Sequence, residues 1–205
     1  MHISEGVLAP GLLLGGGALT LGGLVRGLKD IQEDNLPRAA ILAAVFFTAS
    51  LIHINIGPAS THLVLSGLIG LVMGWAAFPV IFIGLLLQGL LFQFGGLTTL
   101  GVNTFNMAAP AVLLALAGRR LTGGPSRPLA LAAGLVCGGG AILISSLLVG
   151  GSLYLSGAEV SFALPAKAII LANLPVMVIE ALVTMFCVQF LRQVRPSLLA
   201  GPVRP

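Results

Sequence analysis

Of the 205 residues, 57% are hydrophobic and only 8% carry a charge, against about 25% charged in an ordinary globular domain, and the mean hydropathy is +1.09. So few polar side chains cannot coat a water-soluble surface, and no polar block is long enough for a soluble catalytic or nucleotide-binding domain; what remains is one integral-membrane domain over residues 1–205. The net charge of +4 would suggest nucleic acid in a soluble chain, but here it fits basic loops on one face of a membrane.

The chain opens Met1-His2-Ile3-Ser4-Glu5-Gly6, without the basic start and small-residue cleavage site of a signal peptide. A Met before a bulky His is expected to be retained, which leaves a free amine one residue from an imidazole. The amine and the His2 amide nitrogen close a five-membered ring on a metal, and that amide with His2 Nδ1 closes a six-membered one. Three nitrogens then share a plane, a geometry suited to late divalent metals such as Ni(II) or Cu(II) rather than Mg or Ca.

Seven apolar segments follow: Val7 to Val25, Ala39 to Asn55, Leu63 to Trp75, Ala76 to Phe94, Thr104 to Gly118, Leu129 to Leu155 and Ala166 to Leu191. The expected fold is therefore all-α, with about seven transmembrane helices. The third and fifth segments are shorter than the ~20 residues of a straight span, so they are expected beside protein or below the surface, lining a cavity. The chain has 28 glycines, and those at helical spacing near residues 15–23 and 134–140 predict closely packed helix faces. Cys137 and Cys187 lie inside apolar runs and read as small core residues.

Nine of the ten basic residues, Arg26, Lys29, Arg38, Arg119, Arg120, Arg127, Arg192, Arg195 and Arg204, fall on one side of a seven-span arrangement, Lys167 being the exception. The positive-inside rule makes that side the cytoplasm. The N-terminus and the loops at 56–62, 95–103 and 156–165 are then expected outside, and the C-terminus in the cytoplasm.

All three histidines fall on the outer side of this arrangement. In Ile52-His53-Ile54-Asn55-Ile56-Gly57-Pro58-Ala59-Ser60-Thr61-His62, one imidazole would complete a four-nitrogen square with the terminal pair. His62 fits better, because it follows the turn and opens the short third segment; His53 is the alternative, with helix packing or support of a ligand as its other role. Asn55, Ser60 and Thr61 are placed to hold the second ring nitrogen of the ligand. The stretch Phe94 to Met107 carries Gly95, Gly96, Thr98, Thr99, Asn103 and Asn106, and reads as a re-entrant loop folded over the site. Glu180 is a carboxylate in mid-membrane, where such groups face the protein interior; it is either a buried hydrogen-bond anchor or part of a cation route. Glu5 solvates the outer surface or neutralises a cation.

Three stretches together carry a family resemblance: Met1-His2-Ile3 with Glu5-Gly6; Ile56-Gly57-Pro58 with Ser60-Thr61-His62-Leu63; and Gly95-Gly96-Leu97-Thr98-Thr99-Leu100-Gly101 with Asn103-Thr104-Phe105. The chain resembles, over nearly its whole length, the CbiM/NikM family of substrate-capture subunits in energy-coupling factor transporters for cobalt and nickel. The resemblance implies metal ligation by the Met1 amine, the His2 amide and imidazole, and His62, covered by the loop at 95–106. It also implies a seven-helix fold whose extra N-terminal helix threads its start into the bundle, a transmembrane coupling subunit, two cytoplasmic ATPases and often a small accessory membrane protein. The wording around His62 is closer to the cobalt members. Phe94 departs from the pattern, since many relatives carry His there. No phosphate-binding Gly-x-x-x-x-Gly-Lys-Ser/Thr occurs in the sequence, so this chain is expected to bind no ATP and to draw its energy from partners. The competing readings are a membrane metalloenzyme, which would need an open coordination position and a general base, and a free-standing divalent-metal channel.

Overall fold

A computed structural model describes residues 2–56, 59–157 and 163–199, with side chains except at 53–61 and 163–168. It contains α1 (Pro10–Leu28), α2 (Leu36–Ala49), α3 (Ser66–Met73), α4 (Ala77–Phe92), α5 (Leu100–Thr122), α6 (Arg127–Leu155) and α7 (Ala163–Val194). Among the described residues, five apolar stretches are long enough by length and composition to cross a membrane: α1, Ser66–Phe92, which the fold breaks at Gly74 into α3 and α4, α5, α6 and Ile169–Val194 of α7. The count of seven crossings is not reached by length alone, because α2 has 14 residues and α3 only eight.

Local chemistry explains where the helices begin and turn. Proline stands at the first positions of α1, α2 and α6, where its missing N–H has no intrahelical partner to lose and its fixed φ suits the helix. α3 stops at Gly74, whose φ of +59° is a left-handed conformation open to glycine. The chain then reverses. α3 runs beside α5, with Gly70 against Ala111 and Gly74 against Arg119, whereas α4 returns past Gly27 and Gly23 of α1 until Phe92 stacks near Phe47 and Phe94.

Three boundaries differ from the sequence reading. The second apolar segment ends as helix at Ala49, and its tail becomes one strand of a two-stranded antiparallel hairpin, β1 (His53–Ile56) and β2 (Ala59–His62), with His53 paired to His62. β-branched residues in Ile54, Ile56 and Thr61 suit extended backbone. The fifth segment is not short: α5 spans 23 residues, because Leu100 to Asn103 join the helix at its start and Arg119 to Thr122 at its end. Asn103 and Asn106 therefore sit on the first turns of a helix, and the loop proper covers only residues 93–99.

Small residues set the helix crossings. A Cβ on Gly67 would lie 2.2 Å from the Cys137 carbonyl oxygen, and one on Gly138 would lie 2.4 Å from the Glu180 carbonyl oxygen, so α3, α6 and α7 meet backbone to backbone. The buried core that results runs through Phe46, Ile69, Ile81, Met107, Val112 and Ile142. Many large apolar residues point outward instead, among them Leu14, Leu21, Ile41, Leu91 and Phe186, as expected of a bundle bathed in lipid. The hairpin and the starts of α1 and α5 gather at one end of the bundle; Arg26, Arg119 and Arg192 gather at the other. There Arg26 pairs with Asp30 at 2.6 Å, and Arg192 donates to the carbonyls of Thr122 and Gly124.

Candidate metal centre

Residues 2–9 fold back into the histidine end. Ile3 is the first anchor: its side chain is 3% exposed and packs with Leu8, Val102 and Val149. Its N–H donates to Asn103 Oδ1 at 3.0 Å, and its carbonyl accepts from Asn103 Nδ2 at 3.0 Å and from the Thr99 hydroxyl at 2.9 Å. Asn103 Nδ2 also donates to Thr99 Oγ1 at 3.2 Å. The second anchor is Glu5, whose Oε1 accepts from the N–H groups of Leu97 and Thr98 at 2.7 and 3.3 Å. A third tie joins the Ala9 N–H to Ser156 Oγ at 3.2 Å.

These ties present His2 to His62. The two imidazoles stack with centroids 4.9 Å apart and planes 15° from parallel, and their Nε2 atoms stand 3.0 Å apart. His62 is 5% exposed, and its Nδ1 lies 2.9 Å from the Leu63 carbonyl oxygen. An Nδ1–H held on a carbonyl leaves Nε2 as the lone-pair nitrogen, the arrangement typical of a metal-binding imidazole. The 3.0 Å spacing is that of an N–H···N hydrogen bond, in which His2 Nε2–H donates to this lone pair, and it marks the His62 nitrogen that faces the N-terminal residues.

The loop at 93–99 does cover this end, through close contact with the N-terminal strand. A Cβ on Gly96 would fall 1.9 Å from Glu5 Cγ, and one on Gly95 would meet Asn103 Nδ2 at 3.1 Å and His2 Cβ at 3.4 Å; Gly95 also has φ +80°. Phe94, where many relatives were expected to carry His, stacks at 6.3 Å from His2 and walls the site with an apolar ring.

The predicted residues thus divide. His2, His62, Thr99 and Asn103 come together. Asn106 does not join them: its Nδ2 donates to Ser152 Oγ on α6 at 3.4 Å, one helical turn deeper than Asn103. Thr98 is exposed and contributes its backbone N–H alone. Met1, and the side chains of His53, Asn55, Ser60 and Thr61, lie outside the described residues. Glu180 is fully buried and accepts from the N–H groups of Val64 and Leu65 at 2.5 and 2.7 Å, contacts of the kind a buried hydrogen-bond anchor makes. Sequence reasoning gave no role to Ile3, and to Glu5 that of solvating the outer surface or neutralising a cation; neither pointed to the contacts with residues 95–103, which lie about 90 residues away in the chain.

An apolar helical bundle with a polar strand threaded into one end is a multi-helix membrane protein. Comparison then identifies the family. The model of the CbiM family, described as the cobalt uptake substrate-specific transmembrane region, matches residues 2–198, and the chain belongs to that family. It is 35% identical to a putative metal transport protein of Haemophilus influenzae, over 97% of both chains, and 30% identical to a putative cobalt transport protein CbiM 1 of Methanocorpusculum labreanum, over 97% of this chain and 92% of that one. A fused nickel transport protein NikMN of Rhodobacter capsulatus is 33% identical over 57% of this chain and 35% of its own length. The crystal structure of a transition metal transporter superposes with a TM-score of 0.78 at 25% identity, covering 95% of this chain and 93% of that one.

Proposed function

We propose that this protein is the substrate-capture subunit of an ATP-driven importer of divalent cobalt or nickel, of the energy-coupling factor type. The metal, as transported substrate, is held by the Met1 amine, the amide and imidazole nitrogens of His2, and the imidazole of His62. Membership of the CbiM family supports the cargo, and relatives named for cobalt and for nickel support both ions. The observation that carries the ligand set is the 3.0 Å approach of His2 and His62 at an end of the bundle sealed by Ile3, Asn103 and Thr99.

The chemistry follows from the donors. Among the described residues no three His, Cys, Asp or Glu side chains converge, so two imidazoles need further donors, and the terminal amine and amide supply them. Their ring sizes hold three nitrogens in a plane, and His62 closes the square. The chelate uses Nδ1 of His2, so capture turns this imidazole from the Nε2 contact seen here. The ion displaces protons from the amine and the amide, while His2 keeps the proton on Nε2, and affinity rises with pH. A transmembrane coupling subunit and two cytoplasmic ATPases supply the energy, with a small accessory membrane subunit as a further partner. The N-terminus faces outward and the C-terminus the cytoplasm, in the cytoplasmic membrane of a bacterium or archaeon.

The test is uptake of radioactive cobalt and nickel into vesicles holding the full complex, beside metal binding by the isolated chain. One ion per chain, and uptake that requires ATP and the partner subunits, is the expected result. Uptake by this chain alone, or turnover of a substrate, overturns it.

A further inference from the structure

α3 begins without a cap of its own. No side chain from its first turn or from Leu65 bonds its leading N–H groups, and Leu65 itself adopts φ 57°, a left-handed conformation uncommon for such a residue. The two residues just before the helix are held from α7. Glu180 Oε1 accepts from Val64 N–H at 2.5 Å and from Leu65 N–H at 2.7 Å. These two amides lie two and three residues beyond His62. The ring of His62 is tied to the carbonyl of the residue between.

Glu180 is itself fixed in place. Its carbonyl oxygen would lie 2.4 Å from a Cβ on Gly138, so α7 rests against α6 at this level. The second carboxyl oxygen, Oε2, is buried with no hydrogen-bond partner among the described residues, and so are the hydroxyls of Ser66 and Thr184. Ser66 follows Leu65, and Thr184 Oγ1 lines the same Gly138 contact. The surroundings thus offer hydroxyls that can serve either a carboxylate or a carboxamide.

We propose that Glu180 is the positioning residue of the metal centre: it holds the end of the strand that carries His62 by accepting two consecutive backbone N–H groups, and it acts through this acceptor geometry rather than through its charge. The inference rests on the reading of His62 as a ligand. Gln keeps the length and one acceptor oxygen of Glu, while Asp keeps the charge but retracts the oxygens by about 1.5 Å, one carbon–carbon bond, which is enough to break both contacts.

The experiment compares Glu180→Gln, Glu180→Asp and Glu180→Ala with the native full chain and with His62→Ala, all purified in detergent with a native N-terminus. Melting curves establish that each is folded. Affinity for Co(II) and Ni(II), and the visible ligand-field absorption of the bound ion, are the readouts. Glu180→Gln is expected to bind within about threefold of native with an unchanged spectrum, whereas Glu180→Asp and Glu180→Ala lose 10- to 100-fold, as supporting contacts of metal ligands typically do, with a shifted spectrum. If Glu180→Ala does not fold, the Gln and Asp pair decides. Loss in Gln equal to that in Asp makes the charge essential and overturns the proposal; native affinity and spectrum in Asp overturn it too. Normal binding by His62→Ala is a separate failure, that of the ligand reading, and is recognised whatever the Glu180 variants do.

Discussion

Asn103 holds Ile3 by both of its backbone polar groups, accepting from the N–H and donating to the carbonyl, each at 3.0 Å. One carboxamide on α5 thereby does for the N-terminal strand what a neighbouring β-strand would do. It fixes the residue directly after His2. Asn103→Ala would leave a buried N–H without its acceptor, at a cost of about 1–3 kcal/mol, while Thr99 still serves the carbonyl. Metal affinity is expected to fall 10- to 100-fold with the bundle intact. Calorimetric titration with Co(II), beside a circular dichroism spectrum, checks both halves.

The terminus itself gives the sharpest contrast. One residue added before Met1 turns the amine into an amide and moves the free amine away, and should abolish binding without touching a helix. Inserting Ala between Met1 and His2 keeps an amine but adds a chelate ring; the peptide then fills four positions by itself, and binding should persist without transport. For the native chain affinity should rise between pH 6 and pH 8, because the ion competes with protons on an amine of unperturbed pKa about 7.7–8.0. Metal stoichiometry at both pH values and uptake by the full complex read these outcomes. Equal binding by native and extended chains would falsify the terminal site.

The two hairpin histidines should separate. His62→Ala removes the nitrogen that faces His2 and is expected to lose metal binding, whereas His53→Ala keeps most of it. The reverse result would exchange their roles. Equilibrium dialysis with nickel measures the difference.

Packing yields a stability prediction independent of the metal. Gly138→Ala sets a methyl group 2.4 Å from the Glu180 carbonyl oxygen and 2.6 Å from Thr184 Oγ1, and α6 and α7 must part to admit it. Overpacking of this kind costs about 1–3 kcal/mol. A lower melting temperature is expected, and an unchanged one would mean that the two helices are less tightly joined than their backbones indicate.

Orientation follows from the basic residues. Reporters fused after Arg120 and at Pro205 should be cytoplasmic, and one inserted at 156–165 external. A cytoplasmic signal from that insertion would break the proposed topology.

The sequence by itself determined the membrane, the apolar character of the segments, the pairing of His2 with a histidine of the 53–62 stretch, and the family. Each depends on composition or on a short run of residues. Hydropathy marks a span because every residue in lipid meets the same solvent, and a chelate ring is closed by neighbours along the chain. What only the tertiary structure decided is which polar groups meet across distance. The helical start at residues 100–103 was not legible because Gly101 and Asn103 are poor helix formers in a stretch rich in Gly and Thr; in the fold Asn103 is held by Ile3. Glu180 was legible as a buried acid but not as the acceptor that holds Val64 and Leu65 between His62 and α3, since these partners lie 116 and 115 residues away. Phe94 looked like a missing polar contact and is instead a wall beside His2. Such contacts depend on backbones brought close by Gly67 and Gly138, and a linear pattern marks a glycine without saying which carbonyl it lets approach.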